Sequence, residues 1–250
     1  MPFQERPLIE IKGLTKRFGG LTAVDGLNLA VWPGEIFAFL GPNGAGKTTT
    51  LKIMAGLMRP TSGGVSLGGH DVLSEPIEAK RILGFVPDRP FVYEKLTALE
   101  FMRFVAGLYE MSPGETGGRS AELLSIFGLS DWSAELVEGF SHGMRQRLVM
   151  AAALLHRPRV LVVDEPLVGL DPKGVRLLRE VFLDKKREGA AVFMSTHSLE
   201  LAERIADRVG IINRGRLVAA GSVEEVCGMA EMPGSALDEV FLKLTGDLVE

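Results

Sequence analysis

Two kinds of hydrophobic periodicity divide the chain. Ile36–Leu40 and Val160–Val163 are unbroken apolar runs of strand length. Such short continuous runs are typical of strands that are covered on both faces. Between them, Phe101, Phe104 and Leu108 recur at the spacing of one helical face. The pattern therefore predicts buried strands on either side of a helical segment.

The rest of the chain continues this alternation of strands and helices. Further strands are predicted at Leu8–Leu14, Leu21–Val31, Val65–Leu67, Leu83–Val86, Ala190–Met194, Val209–Ile212 and Arg216–Ala220. Helices are predicted at Thr49–Met58, Leu177–Arg187 and Leu199–Ala206, and a second helical stripe runs over Leu123–Phe127. The turn Phe18-Gly19-Gly20 joins the first two strands. Alternation of this kind predicts an α/β fold with a mostly parallel sheet, interrupted by a helical insert at about 90–155.

The overall composition of the chain excludes several classes of function. The net charge of −4 over 250 residues gives no basic surface, so no nucleic-acid partner is expected. Cys227 is the only cysteine, which excludes a disulfide framework and fits a reducing compartment. No signal peptide is visible, and the longest apolar run, Leu148–Leu155, is far shorter than the roughly 18–20 residues that cross a bilayer.

A glycine-rich loop follows the apolar run Ile36–Leu40. It fits the phosphate-binding pattern G-x-x-x-x-G-K-[ST] at every fixed position and precedes a predicted helix. In that context backbone N–H groups wrap phosphates, Lys47 reaches the β- and γ-phosphates, and the Thr48 hydroxyl ligates Mg²⁺. The predicted nucleotide-binding residues of this segment are Gly41, Pro42, Asn43, Gly44, Ala45, Gly46, Lys47, Thr48 and Thr49.

Acidic and imidazole side chains follow two further strands. Asp164 and Glu165 come at the end of the Val160–Val163 strand, and His197 follows the strand Ala190–Met194. In a phosphate-binding fold, Asp164 at a strand's carboxyl end is expected to hold Mg²⁺, and Glu165 to orient or deprotonate the attacking water. His197, at the same predicted sheet edge, is a candidate hydrogen-bond partner of a γ-phosphate.

The segment Phe140–Arg147 begins another predicted helix. Ser141 and Gly143 lie at its N-terminus, where free N–H groups favour a phosphate. A serine in this position is also an ordinary helix cap. Spacing alone favours the cap.

The order of these motifs along the chain resembles the ATP-binding subunit of ABC transporters. The resemblance covers about residues 6–225 and rests on Gly41–Thr48, Phe140–Met144, Val160–Glu165, Gly169-Leu170-Asp171 and His197. It implies a P-loop NTPase with an N-terminal antiparallel β subdomain and an inserted α-helical signature subdomain. It also implies that ATP with Mg²⁺ is hydrolysed between two subunits packed head to tail.

The resemblance adds residue roles that the pattern alone does not give. Ser141 and Gly143 then belong to a signature motif that contacts the γ-phosphate of ATP held by the partner subunit. Phe18 falls where the family stacks an aromatic ring on adenine, and Asp171 matches an aspartate at the dimer interface. Asp88 stands where the family usually has a glutamine that contacts Mg²⁺ and water, so it is predicted as a metal ligand and catalytic residue.

Two other segments depart from the family's usual motifs. The usual signature Leu-Ser-Gly-Gly-Gln is replaced by Phe140-Ser141-His142-Gly143-Met144, which keeps the serine and the second glycine. The segment before Asp171 begins Val168-Gly169, where Ser-Ala is usual.

Residues 88–97 and 236–246 resemble the ABC-2 exporter branch. This resemblance implies a separate transmembrane permease subunit and a second ABC ATPase subunit, either an identical copy or a related cassette. It places the chain in the cytoplasm, peripheral on the inner face of the cell membrane. The predicted domains are a cassette over 6–225 and a short tail over 226–250. A soluble ABC ATPase without a transport role stays open as the alternative.

Overall fold

The computed structural model describes residues 6–167 and 169–246, which form two β-sheets and the helices around them. Val168 and the last four residues of the predicted tail, 247–250, lie outside the described residues. The smaller sheet is antiparallel, in the order β2-β1-β4-β5, and its strands are Ile9–Phe18 (β1), Leu21–Val31 (β2), Ser62–Leu67 (β4) and His70–Asp71 (β5). The predicted turn between the first two strands is confirmed.

The larger sheet has six strands, and five of them are parallel neighbours. Its strands, from one edge to the other, are Arg216–Gly221 (β10), Arg208–Asn213 (β9), Ile36–Leu40 (β3), Ala191–Thr196 (β8), Val160–Asp164 (β7) and Leu83–Val86 (β6). Only β10 runs antiparallel to its neighbour, β9. The predicted α/β class with a mostly parallel sheet is confirmed.

Both faces of the central strand β3 are buried, as its continuous apolar sequence predicts. Side chains alternate across a strand, so Phe37 and Phe39 enter the core beneath the antiparallel sheet. There the Phe193 ring of β8 lies 5.4 Å from the Phe37 ring and 5.3 Å from the Phe39 ring, between centroids. Ala38 and Leu40 enter the opposite core, which the helical insert covers.

Helices cover this sheet and form the insert. In chain order they are Lys47–Met54 (α1), Pro76–Arg81 (α2), Ala98–Leu108 (α3), Pro113–Ile126 (α4), His142–Ala153 (α5), Pro172–Arg187 (α6), Leu199–Ile205 (α7), Val223–Met229 (α8) and Leu237–Thr245 (α9). Capping boxes at Thr97 and Ser112 start α3 and α4. Each capping side chain accepts from the N–H group of the glutamate three residues on, and the carboxylate of that glutamate accepts from the backbone N–H of the capping residue. Together α3, α4 and α5 make the insert between β6 and β7.

Residues on both sides of the predicted boundary at 225 share one core. Val226, Cys227, Leu237 and Val240 are buried in the same cluster as the insert and the sheet. The segment after β10 therefore folds into α8 and α9 against the cassette rather than extending from it.

None of the helices in the described residues combines the length and the apolar character needed to cross a membrane.

Candidate nucleotide site

Strand register brings four functional loops to one edge of the six-stranded sheet. Leu40 at the end of β3 pairs with Thr196 at the end of β8, and Asp164 at the end of β7 pairs with Ser195. The carboxyl ends of parallel strands share an edge, so the loops that follow these strands meet there. These loops carry the glycine-rich segment, Glu165, His197 and Asp88, which the sequence places in four separate regions.

The glycine-rich loop turns sharply into α1 at Gly46. This residue caps α1 with φ near +112°, and a Cβ there would lie 2.3 Å from the Ala23 carbonyl oxygen. Only glycine combines this backbone conformation with such a close approach. The loop is therefore clamped against the β1–β2 hairpin, and the N-terminus of α1 faces the cavity.

Lys47 reaches back over the loop from the first turn of α1. Its Nζ donates to the carbonyl oxygens of Gly41 at 2.5 Å and Pro42 at 3.3 Å, and the residue is 7% exposed. Burial lowers the pKa of Lys47, while the nearby carboxylates of Glu165 and Asp164 act in the opposite direction. A desolvated ammonium held by carbonyl groups is placed to receive an anionic ligand such as phosphate.

Asp164 is the most deeply buried charged group at this edge. It is 2% exposed, and burial raises the pKa of Asp164, while the hydroxyls of Thr48 and Ser195 act to lower it. The negative charges of Asp88 and Glu165 add to the upward shift of this pKa. A buried carboxylate in these surroundings favours a bound cation or proton.

Thr48, Asp164 and Asp88 fit a magnesium site that also uses substrate phosphates. Asp164 Oδ1 is buried and has no hydrogen-bond partner in the described part of the chain. Mg²⁺ prefers oxygen ligands and usually takes one or two carboxylates together with phosphates and water. Across residues 6–167 and 169–246, no group of three or more His, Cys, Asp or Glu side chains is arranged to hold a metal without such additional ligands.

Glu165 and His197 contact each other directly. Glu165 Oε2 lies 2.7 Å from His197 Nδ1 and accepts from the His197 backbone N–H at 3.3 Å. Glu165 has φ of +49°, which is uncommon for a residue other than glycine and is typical of functional sites. Its backbone N–H donates to the Ser195 carbonyl at 2.9 Å, which ties this conformation to β8. Glu165 is mostly buried, whereas the His197 ring is exposed.

A cavity of about 400 Å³ lies over these groups. Its lining includes most of the predicted site and is Phe18, Leu21, Ala23, Pro42, Asn43, Gly44, Gly46, Lys47, Thr48, Thr49, Asp88 and Glu165. Leu21 and Ala23, from the hairpin after Phe18, are lining residues that the sequence reasoning missed. Their apolar character carried no signal beyond strand periodicity. Gly41 and Ala45 are buried behind the lining.

Besides Gly41 and Ala45, five predicted residues are not among the lining of this cavity: Asp164, His197, Ser141, Gly143 and Asp171. Asp164 and His197 stay next to the cavity, because Asp164 directly precedes Glu165 and His197 contacts it. Ser141 caps α5, where its Oγ accepts from the Met144 N–H at 3.2 Å, so the cap that spacing favours is present. Asp171 caps α6 in the same way, and its Oδ1 accepts from the Gly174 N–H at 2.8 Å.

The two departures from the usual motifs lie against each other. Gly169 has φ of +77°, and a Cβ there would lie 2.2 Å from His142 Cδ2. A Cβ at Gly143 would lie 2.6 Å from the Gly169 carbonyl oxygen. In this arrangement the His142 ring occupies the space that a side chain at position 169 would need, and the positive φ of Gly169 also favours glycine there. Two changes 27 positions apart in the sequence thus fit each other.

The central strand of the parallel sheet leads into a phosphate-binding loop, and a nearby strand ends in a pair of acidic residues. This combination defines a P-loop nucleoside triphosphatase. The family model for "ABC transporter" matches residues 24–168. The chain belongs to this family, as an ATP-binding subunit that hydrolyses ATP.

Individual relatives agree with this assignment over most of the chain. The linearmycin resistance ATP-binding protein LnrL of Bacillus subtilis is 34% identical over 94% of this chain and 78% of its own length. The daunorubicin/doxorubicin resistance ATP-binding protein DrrA of Streptomyces peucetius is 38% identical over 90% of this chain and 68% of its own length. A solved structure described as the ATP binding subunit of an ABC transporter has a TM-score of 0.91 at 34% identity, covering 95% of this chain and 99% of that one.

Proposed function

We propose that this chain is the motor of an ABC-2-type exporter, which binds Mg·ATP in the 400 Å³ cavity and hydrolyses it there. The observation that carries the proposal is the meeting of Lys47, Asp164 and the Glu165–His197 pair at one sheet edge. The names of LnrL and DrrA, both resistance proteins, support the export of toxic compounds. The transported compound would be recognised by a separate membrane subunit.

In this proposal the loop and Lys47 hold the triphosphate. Lys47 exchanges its carbonyl contacts for the β- and γ-phosphate oxygens, and backbone N–H groups at the start of α1 bind the same phosphates. Thr48, Asp164 and Asp88 would hold Mg²⁺, which when bound neutralises phosphate charge. Phe18 offers a ring that is 46% exposed at the cavity rim for adenine to stack on.

Glu165 is proposed as the residue that orients the attacking water and accepts its proton. His197 holds the Glu165 carboxylate through its ring nitrogen and its backbone N–H. Two donors on one oxygen leave the second carboxylate oxygen to face the cavity. Catalysis then rests on positioning and on charge stabilisation, with no covalent intermediate.

Ser141 and Gly143 would complete the site of a second subunit, either an identical copy or a related cassette. Both lie outside their own cavity, and Ser141 is exposed. The cap uses only the Ser141 oxygen as acceptor, which leaves its O–H free to donate to a phosphate. The signature helix can therefore retain its cap while contacting ATP on the partner.

The helical insert offers a docking surface for the permease. Phe91, Tyr93 and Phe104 form an exposed aromatic patch, in which the Tyr93 ring lies 6.3 Å from Phe91 and 5.1 Å from Phe104 between centroids. Phe91 follows Asp88 by three residues, so one short segment joins the nucleotide cavity to this patch. A cytosolic segment of the permease bound here would hold the chain at the inner membrane face and sense nucleotide through that segment.

Lys47→Ala tests the nucleotide site. Removing the buried ammonium should abolish tight ATP binding, measured by calorimetry with Mg·ATP. Lys52→Ala, on the exposed face of the same helix, is the matched control and should bind ATP normally. Equal affinity of the two variants would refute the assignment of the loop.

Pairing of subunits can be tested in a hydrolysis-deficient background. A Glu165→Gln protein should elute as a dimer with Mg·ATP and as a monomer with ADP, if the chain pairs with itself. Adding Ser141→Arg should prevent that dimer, because the long side chain would occupy the partner's γ-phosphate position. A dimer that forms regardless of this change would refute the role of the signature helix in trans.

Docking can be tested by co-purification with a permease encoded beside this chain. Replacing Phe91 and Phe104 together by alanine should reduce capture of the permease at least about tenfold, as expected when interface anchors are lost. Leu57, an exposed apolar residue after α1, gives the matched control Leu57→Ala. Undiminished capture by the Phe91/Phe104 variant would exclude the aromatic patch as the docking surface.

A further inference from the structure

Lys16 contacts the ring of Phe18, although no motif includes it. Its Nζ lies 4.9 Å from the Phe18 ring centroid, over the face of the ring. The same nitrogen donates to the Arg59 carbonyl oxygen at 2.8 Å. The ammonium is therefore fixed over the ring rather than freely solvated.

One face of the Phe18 ring is covered by the Lys16 ammonium. Phe18 lines the nucleotide cavity, whereas Lys16 is not among the lining residues. Lys16 lies two residues before Phe18 on β1, so the two side chains project from the same side of the strand, and Lys16 is half-buried beside the segment that follows α1. The ammonium therefore occupies one face of the Phe18 ring, and the other face is left for a base.

We propose that Lys16 is a positioning residue for the base of the nucleotide and acts through Phe18. The ring faces of aromatic side chains carry partial negative charge, and a cation over one face is attracted to it. That cation draws electron density from the other face and so lowers its repulsion with the electron-rich face of adenine. It also restricts the ring to one orientation before the base arrives, which lowers the entropy lost on stacking.

The contact of Lys16 with the Arg59 carbonyl oxygen connects the Lys16–Phe18 pair to the helix that follows the phosphate-binding loop. Arg59 lies shortly after α1, the helix that begins at Lys47. Further contacts join the same strands, since the Arg17 N–H donates to Thr61 Oγ1 at 3.0 Å and the Thr61 N–H donates to the Thr15 carbonyl at 2.8 Å. The ring that holds the base and the helix that holds the phosphates are thus kept at a fixed separation.

This inference rests on the proposed stacking of adenine on Phe18, and its test separates the two ideas. The probes are ATP, which has a base, and inorganic tripolyphosphate, which has none; the dissociation constant of each is measured by calorimetry. Lys16→Met should weaken ATP binding about two- to five-fold, the size expected for a cation over an exposed ring. The same change should leave the tripolyphosphate constant unaltered.

Two further variants make the test specific. Lys16→Arg keeps a cation that stacks on rings and should restore ATP affinity. Phe18→Leu should weaken ATP binding, and adding Lys16→Met to it should cause no further loss, because the group through which Lys16 acts is gone.

Each other outcome overturns a defined part of the inference. Equal weakening of ATP and tripolyphosphate by Lys16→Met would mean that Lys16 acts on phosphates or on folding, and would refute the role through Phe18. Normal ATP binding by Lys16→Met, with weakened binding by Phe18→Leu, would refute the role of Lys16 alone. Normal ATP binding by Phe18→Leu would refute the stacking proposal itself and, with it, the role of Lys16.

Discussion

At the nucleotide edge of the six-stranded sheet, Lys47 is 7% exposed and Asp164 2% exposed, whereas Phe91 in the aromatic patch of the insert is 79% exposed. The first region holds its charged groups among carbonyls, hydroxyls and each other within a single chain. The second presents aromatic rings that contact mainly one another. One chain thus builds the phosphate-binding loop and its neighbouring carboxylates by itself, while its insert exposes apolar area, which the proposed permease would cover.

The largest expected effect separates the two faces of helix α3. Phe101 is 6% exposed and packs into the core, while Phe104 is 42% exposed in the aromatic patch. Phe101→Ala should lower the free energy of unfolding by about 3–5 kcal/mol, as for other large-to-small core changes. Phe104→Ala should cost less than about 1.5 kcal/mol, mainly its ring contact with Tyr93. Urea unfolding of both variants is the measurement, and similar losses would mean that the patch is structural.

The next largest effect compares how two carboxylates contribute to ATP hydrolysis, one at the nucleotide edge of the sheet and one on the insert. Glu165→Gln should reduce the rate of phosphate release about 10²-fold or more, because the amide cannot accept a proton from water. ATP binding should persist, since the groups that contact phosphate are unchanged. The control is Glu110→Gln, which changes an exposed insert glutamate paired with Arg81 and should hydrolyse ATP normally. Near-normal turnover of Glu165→Gln would contradict its catalytic role.

His156 lies where the insert meets the sheet and makes this junction sensitive to pH. Its ring stacks on Tyr109 of the segment after α3, with centroids 3.6 Å apart, and its Nε2 lies 3.1 Å from the Leu83 carbonyl oxygen of β6. Burial lowers the pKa of His156 to about 4, although the contact with Leu83 acts to raise it. The folded state therefore keeps this ring neutral in a range where the unfolded chain is protonated.

Stability should accordingly fall as the pH drops from about 6.5 to about 4. The unfolded chain binds a proton in that window and the folded chain does not, which favours unfolding. His156→Phe keeps a ring against Tyr109 and removes the group that titrates. Across this pH window the free energy of unfolding of the variant should therefore fall by about 2 kcal/mol less than that of the native chain. Parallel pH profiles of the two proteins in urea unfolding would contradict the prediction.

The smallest expected effect concerns the segment that joins the two regions. Asp88→Gln removes one negative charge from the cavity and should raise the Mg²⁺ concentration for half-maximal hydrolysis about two- to five-fold. ATP affinity should change less, because the phosphate contacts are elsewhere. Asp131→Asn, an exposed aspartate of the insert, serves as the control. If the magnesium titration is unchanged, Asp88 is not a magnesium ligand.

Strands and loops with strong local signals were predictable from the sequence. The apolar runs over β3 and β7 and the hairpin before them were located correctly, and β2 and β6 have the predicted bounds. The helices α2 and α8 were missed because they are short. The helix α9 was also missed, although Leu237, Val240, Phe241 and Leu244 recur at helical spacing and could have indicated it. The predicted tail from 226 likewise contains hydrophobic residues that are buried, because the tail packs against the core beside the sheet.

The candidate site was predictable to the extent that it follows motif spacing. Lys47, Asp88 and Glu165 line one cavity, while Asp171 and Ser141 are helix caps outside it, and the roles predicted for these residues stay predictions. Lys16 carried no sequence signal at all. Its proposed role depends on a distance of 4.9 Å from Nζ to the centroid of the Phe18 ring, which two residues on the same side of a strand permit but do not specify.

By itself, the sequence determined the local elements: buried strands from continuous apolar runs, the phosphate loop from its glycines, and helix starts from capping side chains. These depend on contacts between residues close in the chain, which spacing encodes directly. Only the tertiary structure decided the strand order that places β3 between β8 and β9, and with it the meeting of Lys47, Glu165 and His197. It also decided that His142 would lie against Gly169. These contacts join segments separated by tens to more than a hundred residues, and their geometry follows from how the whole core packs rather than from any local pattern.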